Sequence, residues 1–167
     1  MDPAFMDLSA RISAHFEASA QLKLALAELL AGPIAQSAQL IVEAILNEKK
    51  VLSCGNGAGA ANAQYFSSRM LGHYEMERPG LASIALSADS TTITAIANLG
   101  NFDQAYAKQV QALGQSGDIL LAISTSGNSE SILNAIRAAK ERNMKSLHLA
   151  VAMAARSWNC LRTTISI

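Results

Sequence analysis

Cysteine, charged residues and aromatic side chains are all scarce in this 167-residue chain. The two cysteines, Cys54 and Cys160, belong to no CxxC pair or Cys/His cluster, which excludes the common zinc and redox motifs. Charged residues make up 16%, and thirteen basic side chains balance thirteen acidic ones. A chain without net positive charge lacks the electrostatic signature of nucleic-acid binding, so we expect no direct contact with nucleic acid.

Long apolar runs and a secretory leader are also missing from the sequence. No stretch of about 18 uncharged apolar residues occurs, and no basic segment followed by an apolar core stands near the N-terminus. We therefore expect no membrane association and a cytoplasmic location. Residues 1–5 precede a second methionine, Met6, and resemble a vector-derived leader, so residues 6–167 are expected to form a single domain.

The spacing of apolar residues predicts two helices ahead of any strand. Between Leu8 and Leu30 apolar residues recur at three- and four-residue steps, Gly32-Pro33 ends that pattern, and a second apolar face follows as far as Leu46. Helical surface of this extent has to be buried against something, and another subunit is the natural candidate. We therefore expect oligomerisation.

Short apolar runs then alternate with helical stretches. The predicted strands are 51–54, 82–86, 119–124 and 146–150, and the predicted helices are 90–97, 102–113 and 130–142. This alternation predicts an α/β fold in which helices cover both faces of a parallel sheet. Ligands of such sheets bind beyond the carboxyl ends of the strands, here the loops after Cys54, Leu86 and Ser124.

A hydroxyl-rich loop, called the serine loop below, separates a predicted strand from a predicted helix. Its residues are Ser124, Thr125, Ser126, Gly127, Asn128 and Ser129. Free backbone N–H groups and the positive end of the helix dipole favour an anion at such a place, and the hydroxyls add neutral donors. We interpret the loop as a phosphate site. The alternative is a polar turn in which Ser129 merely caps the helix.

A glycine-rich loop follows the first predicted strand. Its sequence over residues 55–61 is GNGAGAA, and Asn56 and Gly57 are candidates for contacting a ligand, because small residues let the backbone approach closely and an amide both donates and accepts. The glycines lack the last spacing of the dinucleotide fingerprint GxGxxG. No acidic residue ends the next strand near Leu86, so a nicotinamide cofactor is disfavoured.

Successive segments of the chain resemble the signatures of one family. They are residues 53–57 (SCGNG), 77–79 (ERP), 118–123 (DILLAI) and the serine loop. In order and spacing they resemble the SIS-domain phosphoheptose isomerase family. Three further segments, 60–64, 94–98 and 106–110, are more similar to the DnaA initiator-associating branch of that family.

This resemblance implies an SIS-type three-layer sandwich, a parallel sheet flanked by helices, preceded here by the two N-terminal helices. It implies a phosphorylated sugar of the heptose phosphate class as ligand, bound by Asn56, Gly57 and the serine loop. It also implies a homotetramer, DnaA as a partner and a part in replication initiation. No cofactor is implied, although zinc accompanies some relatives, and the sequence offers no convincing metal ligands.

The same resemblance raises doubt about catalysis. Where the isomerases carry a histidine and, four residues later, a glutamate, this chain has Tyr65 and Arg69, and neither is a base near neutral pH. Gly59 and Leu99 replace a ligand-binding serine and an aspartate of the family. We therefore expect an oligomeric scaffold with impaired isomerisation. The alternatives are an active sedoheptulose 7-phosphate isomerase, which forms glycero-manno-heptose 7-phosphate, and a regulatory module that senses a phosphosugar without turnover.

Two other features of the sequence leave open questions. Of the three histidines, His15 and His148 fall inside predicted elements, and His73 follows a helix, where its charge would be favourable. After Ala150 the family resemblance stops, and residues 151–160 replace the expected glycine turn. A shifted reading frame is one explanation. A shortened relative, in which residues 163–167 form an edge strand, is the other.

Overall fold

The computed structural model describes residues 7–150 and a short strand at Ile165–Ser166. It begins with a single helix, α1, over Leu8–Leu46. Asp7 caps this helix by accepting hydrogen bonds from the backbone N–H groups of Ser9 and Ala10, at 3.0 and 3.2 Å. In its C-terminal part α1 packs against the rest of the described chain, and Ser37 and Ala44 are buried there.

The prediction of two N-terminal helices is therefore wrong, because the helix runs straight through Gly32-Pro33. A residue before proline normally avoids the helical region, since its Cβ clashes with the proline ring, but Gly32 has no Cβ. Pro33 still removes one backbone hydrogen bond. The carbonyl that loses its partner belongs to Leu29, which is exposed and lies where water can satisfy it.

Five parallel strands form one sheet in the order β2-β1-β3-β4-β5. They are β1 Val51–Gly55, β2 Ser83–Ala85, β3 Ile119–Ser124, β4 Lys145–Ala150 and β5 Ile165–Ser166. The connecting helices are α2 Ala58–Leu71, α3 Ser90–Asn98, α4 Ala105–Leu113 and α5 Glu130–Glu141, and a 3₁₀ turn at Phe102–Gln104 precedes α4. The predicted α/β fold with a parallel sheet is confirmed.

Apolar side chains fill both faces of the sheet, as a three-layer arrangement requires. On one face, residues of α4 and α5 such as Val110 and Ile136 pack against Leu120. On the other, α1 and α2 cover Val51 and Ile119. Strand residues are buried on both sides of the sheet, which is why these strands read as continuous apolar runs rather than alternating ones.

Asp118 fixes the amino ends of the two central strands. Its buried carboxylate accepts hydrogen bonds from the Lys50 Nζ at 2.6 Å, the Lys50 backbone N–H at 3.1 Å and the Gln115 backbone N–H at 2.8 Å. A buried carboxylate with a cation and two backbone donors is well compensated for its loss of water. The opposite, carboxyl ends of β1 and β3 are thereby held in register.

Of the region after Ala150, the structure describes only Ile165–Ser166. The strand β5 pairs with β4 at the edge of the sheet, within the range 163–167 expected of an edge strand. The residues that bear on a shifted reading frame, 151–160, lie outside the described part of the chain, as do residues 1–6.

Candidate functional site

The serine loop and the glycine loop meet at the carboxyl edge of the sheet. Strands β1 and β3 are neighbours, and Gly55 at the end of β1 is in register with Ile123 near the end of β3. The loops that leave these strands therefore begin side by side. Since the chain crosses from the sheet to α2 after one loop and to α5 after the other, two helix N-termini converge on this edge.

Internal hydrogen bonds give the serine loop its shape. The Ser124 Oγ accepts from the Gly127 backbone N–H at 3.1 Å, and the Ser126 Oγ accepts from the Asn128 backbone N–H at 3.2 Å. Gly127 is buried and has φ +63°, a left-handed conformation that suits glycine. The loop is therefore a tight turn at the N-terminus of α5, not an extended connection.

Ser129 occupies the N-cap position of α5, but its side chain makes no capping hydrogen bond. The alternative interpretation, in which this serine serves only as a helix cap, is therefore not supported by the geometry. The backbone N–H groups of Ile132 and Leu133 donate to the Ser129 carbonyl and not to its hydroxyl, which stays free of a capping role. A phosphate oxygen is the acceptor that such a helix terminus favours.

The glycine loop depends on the very close approach of two glycines. A Cβ on Gly55 would lie 2.4 Å from both the carbonyl carbon and the carbonyl oxygen of Gly59. Gly57 has φ +54° and turns the chain into α2. Gly59, which stands where the family resemblance places a serine, also packs tightly. A Cβ at this position would lie 3.0 Å from the Ile123 carbonyl oxygen.

A side-chain hydrogen bond joins the two loops. The Asn56 Nδ2 donates to the Ser131 Oγ at 2.9 Å, and the Asn56 Oδ1 is buried without a partner among the described residues. A buried amide oxygen without a hydrogen bond is costly, and a ligand hydroxyl at this edge would satisfy it. The role of Asn56 as a ligand contact stays a prediction. Its partner Ser131, 75 residues away, carries no signal in the sequence.

Tyr106 supports the same loop from beneath. Its hydroxyl donates to the Gly55 carbonyl at 2.6 Å, and burial raises the pKa of this phenol to about 12. It is therefore a fixed donor, not an acid or a base near neutral pH. The buried Cys54 thiol next to the loop is also inert, because burial raises its pKa to about 12.

Tyr65 and Arg69 do not join the two loops but form a separate exposed stack on α2. The Arg69 guanidinium carbon lies 4.9 Å from the centre of the Tyr65 ring and 6.0 Å from that of Tyr74. Both distances fall within the range of cation–π contacts. The surface at the C-terminal end of α2 thus presents a cation and two phenols.

His148 lies behind the serine loop. It is 4% exposed, and a small cavity of about 10 Å³ separates it from the loop. Ser124 and Gly127 line the same cavity. Both ring nitrogens lack a hydrogen-bond partner among the described residues, and burial lowers the pKa of the imidazole to about 4. The sequence places His148 in a strand but gives no indication of this proximity.

Comparison with known proteins agrees with the architecture and the paired loops, which define a domain of the sugar isomerase type. A family model described as "SIS domain" matches residues 14–150. The chain is 55% identical to a phosphoheptose isomerase from Azoarcus sp. over 83% of its own length and 71% of that protein's. It is 54% identical to one from Thiobacillus denitrificans over 86% of its length and 73% of that protein's.

Solved structures agree with this result. The fold superimposes on a phosphoheptose isomerase from Francisella tularensis with a TM-score of 0.92 at 44% identity, covering 96% of this chain and 85% of that one. For a phosphoheptose isomerase from Neisseria gonorrhoeae the TM-score is 0.87 at 38% identity, over 95% and 85% of the two chains. The chain belongs to the phosphoheptose isomerase family of SIS domains, and the SIS-type fold expected from the sequence is confirmed.

Proposed function

We propose that the protein binds a phosphorylated sugar, with the phosphate held by the serine loop, and that its capacity to isomerise that sugar is impaired. The observation that carries the proposal is the closed serine loop at the N-terminus of α5, where Ser129 makes no capping bond. The positive end of the helix dipole and the neutral hydroxyls of the loop favour a phosphate group at this place. A dedicated cation is absent from the loop sequence.

Specific roles follow from the positions of the side chains. Phosphate contacts fall to the serine loop, and the residues proposed for them are Ser124, Thr125, Ser126, Asn128 and Ser129. The residues proposed for the sugar are Asn56 and Gly57. Support comes from the Asn56 side chain, which donates to Ser131 and whose Oδ1 has no partner among the described residues. The proposal needs no cofactor.

Impaired catalysis follows from the chemistry of α2. Interconversion of a ketose and an aldose through an enediol needs a base to move a proton between neighbouring carbons, and a second group to move the proton on oxygen. Tyr65 and Arg69 stand where the family resemblance places a histidine and a glutamate. Arginine stays protonated, and the Tyr65 ring is stacked against it. Neither supplies the base.

The second candidate function is an active phosphoheptose isomerase, and identities of 50–55% to proteins of that name favour it. Turnover separates the two candidates. The full chain is incubated with sedoheptulose 7-phosphate and aldose formation is followed, alongside a phosphoheptose isomerase of the family. We expect binding without measurable turnover. Turnover at a rate near that of the family enzyme would establish the second candidate.

Binding at the serine loop is tested by a matched pair of variants. Ser126→Ala removes a loop hydroxyl, and Ser116→Ala removes an exposed hydroxyl between α4 and β3. Loss of a hydrogen bond to a charged phosphate corresponds to about tenfold or more in the dissociation constant for sedoheptulose 7-phosphate. The Ser116→Ala variant should bind normally. Equal affinities for both variants, or no binding by the unaltered protein, would contradict the proposal.

We further propose that α1 mediates a homo-oligomer, a homotetramer by the family resemblance, and that the protein acts in the cytoplasm. Support comes from the exposed apolar residues of the N-terminal half of α1, among them Ile12 and Phe16. By length and composition alone α1 could also cross a membrane.

We also propose DnaA as a partner. Support comes from the resemblance of residues 60–64, 94–98 and 106–110 to the DnaA initiator-associating branch, and co-purification of the two proteins tests it.

A further inference from the structure

We propose that His148 supplies the positive charge that the serine loop lacks, by taking up a proton from solvent when the loop binds the phosphate group of a sugar phosphate. The inference rests on the proposed function, since it needs an anion in the serine loop. It assigns to a buried residue of β4 the role of a positioning residue for that anion. Affinity for dianions would then rise as the pH falls.

His148 lies in the wall of a cavity that the serine loop also lines. His148 is only 4% exposed, and it shares this cavity with Ser124 and Gly127 of the serine loop. At about 10 Å³ the cavity is too small to accept a sugar phosphate itself. His148 therefore acts on the ligand from behind the loop and not by enclosing it.

The imidazole of His148 is unsatisfied within the described part of the chain. Neither ring nitrogen has a partner among the described residues. A buried imidazole that is already satisfied would be an ordinary packing residue, but an unsatisfied one is costly to maintain. Both nitrogens of the protonated ring are hydrogen-bond donors. Because Ser124 lines the same cavity, protonation of His148 places a positive charge next to the serine loop.

Among the described residues that line this cavity, His148 alone is ionisable. The side chains that β3 and α5 present to this cavity are Ala122, Ser124, Ile132 and Ile136, and none of them ionises. The charged residues of α5, which do not line it, are Glu130, Arg137, Lys140 and Glu141. Glu130 and Arg137 form an ion pair at 2.9 Å, and Lys145 lies exposed at the other end of β4. No charged side chain in the described part of the chain competes at this cavity, so a dianion bound in the serine loop is the main charge that affects protonation of His148.

The expected size of the effect follows from linkage. Burial holds the pKa of the empty site near 4, and a neighbouring dianion favours the protonated ring. If binding restores the ordinary value near 6.5, the affinity for a dianion rises about thirtyfold between about pH 7.5 and about pH 5. Inorganic sulfate is the suitable probe, because it remains a dianion over this range, whereas a phosphate monoester does not.

The experiment measures sulfate dissociation constants by NMR titration of the full chain at both pH values. The unaltered protein and His15→Gln, a control on exposed α1, should show the rise, and His148→Gln should show none. A His148 ring resonance that titrates at higher pH with sulfate than without tests the same point without a variant. An identical pH response in His148→Gln, or an unshifted ring titration, overturns the inference. In that case sedoheptulose 7-phosphate binding at about pH 7.5 would leave the proposed function standing, whereas absence of all anion binding would overturn both.

Discussion

At the scale of single residues, the contact between Gly55 and Gly59 determines how closely α2 approaches β1. A Cβ at position 55 would lie 2.4 Å from two backbone atoms of Gly59, and backbone cannot move aside as a flexible side chain can. We expect Gly55→Ala to lower the free energy of unfolding by about 3 kcal/mol, the upper range for overpacking. Urea denaturation followed by circular dichroism measures the change.

Gly57→Ala is the matched comparison for that variant. Open space surrounds the position, so the cost is that of the backbone itself, whose φ +54° and ψ −121° lie in a region largely confined to glycine. The expected loss is about 2 kcal/mol, smaller than that for Gly55→Ala. Equal losses for the two variants would show that backbone conformation, and not the approach of α2 to β1, limits this loop.

The residue scale is also where the sequence was least informative about the site. Asn56, Gly57 and the serine loop could be proposed as ligand contacts, because each follows an apolar strand and uses residue types with a local meaning. Ser131 and His148 could not. Their importance depends on which strands are neighbours and which side of β4 faces α5, and neither fact is encoded near those residues.

At the scale of elements, Arg78 holds the C-terminal end of α2. Its guanidinium donates to the carbonyl oxygens of Arg69 at 2.8 Å, Met70 at 3.0 Å and Pro79 at 3.1 Å. The last carbonyls of a helix have no partner within it, so a multidentate donor satisfies several of them together. The ERP segment of the family resemblance therefore has a structural role in this chain.

Arg78→Lys should accordingly destabilise the protein. An ammonium group cannot reproduce the planar set of donors, and we expect the free energy of unfolding to fall by about 2 kcal/mol. Arg142→Lys is the comparison, since Arg142 donates only to the Gly114 carbonyl, at 2.8 and 3.0 Å. Thermal unfolding should rank Arg78→Lys as the less stable variant, and the reverse order would count against this role.

Strand and helix bounds were predictable because apolar periodicity and glycine stops are local signals. The error at Gly32-Pro33 arose because proline usually ends a helix, whereas a preceding glycine and exposure to water allow the helix to continue.

Replacement of Pro33 should therefore stabilise α1. Pro33→Ala restores the missing N–H and should raise the stability of α1 by about 2 kcal/mol. Increased helical circular dichroism and a higher unfolding midpoint are expected, and unchanged values would contradict it.

At the scale of the whole molecule, His148 makes stability depend on pH. Burial lowers its pKa from the ordinary 6.5 to about 4, so between these values the unfolded chain binds a proton that the folded chain does not. Stability is therefore lost as the pH falls from 6.5 towards 4, by up to about 3 kcal/mol. In the His148→Gln variant the unfolding free energy should fall less over this pH range than in the unaltered protein. Parallel pH profiles of the unfolding free energy for the two proteins would refute this role of His148.

Association of subunits is a property of the whole molecule that α1 makes testable. Ser37 and Ala44 pack against the body of the domain, and the same side of the helix continues through Phe16, Ile12 and Leu8, which are 75%, 56% and 64% exposed. One apolar stripe is thus covered at one end and uncovered at the other, and a second copy of the helix matches it in length and chemistry.

Charge placed on that stripe should therefore separate the subunits. We expect Ile12→Glu combined with Phe16→Glu to reduce the molar mass measured by sedimentation to that of a smaller species, because burying a carboxylate without a partner costs several kcal/mol. Gln21→Lys, on the polar side of α1 next to Glu17, should leave the mass unchanged. A monomeric unaltered protein would exclude the homo-oligomer, and an unchanged mass for the double variant would move the interface away from the N-terminal half of α1.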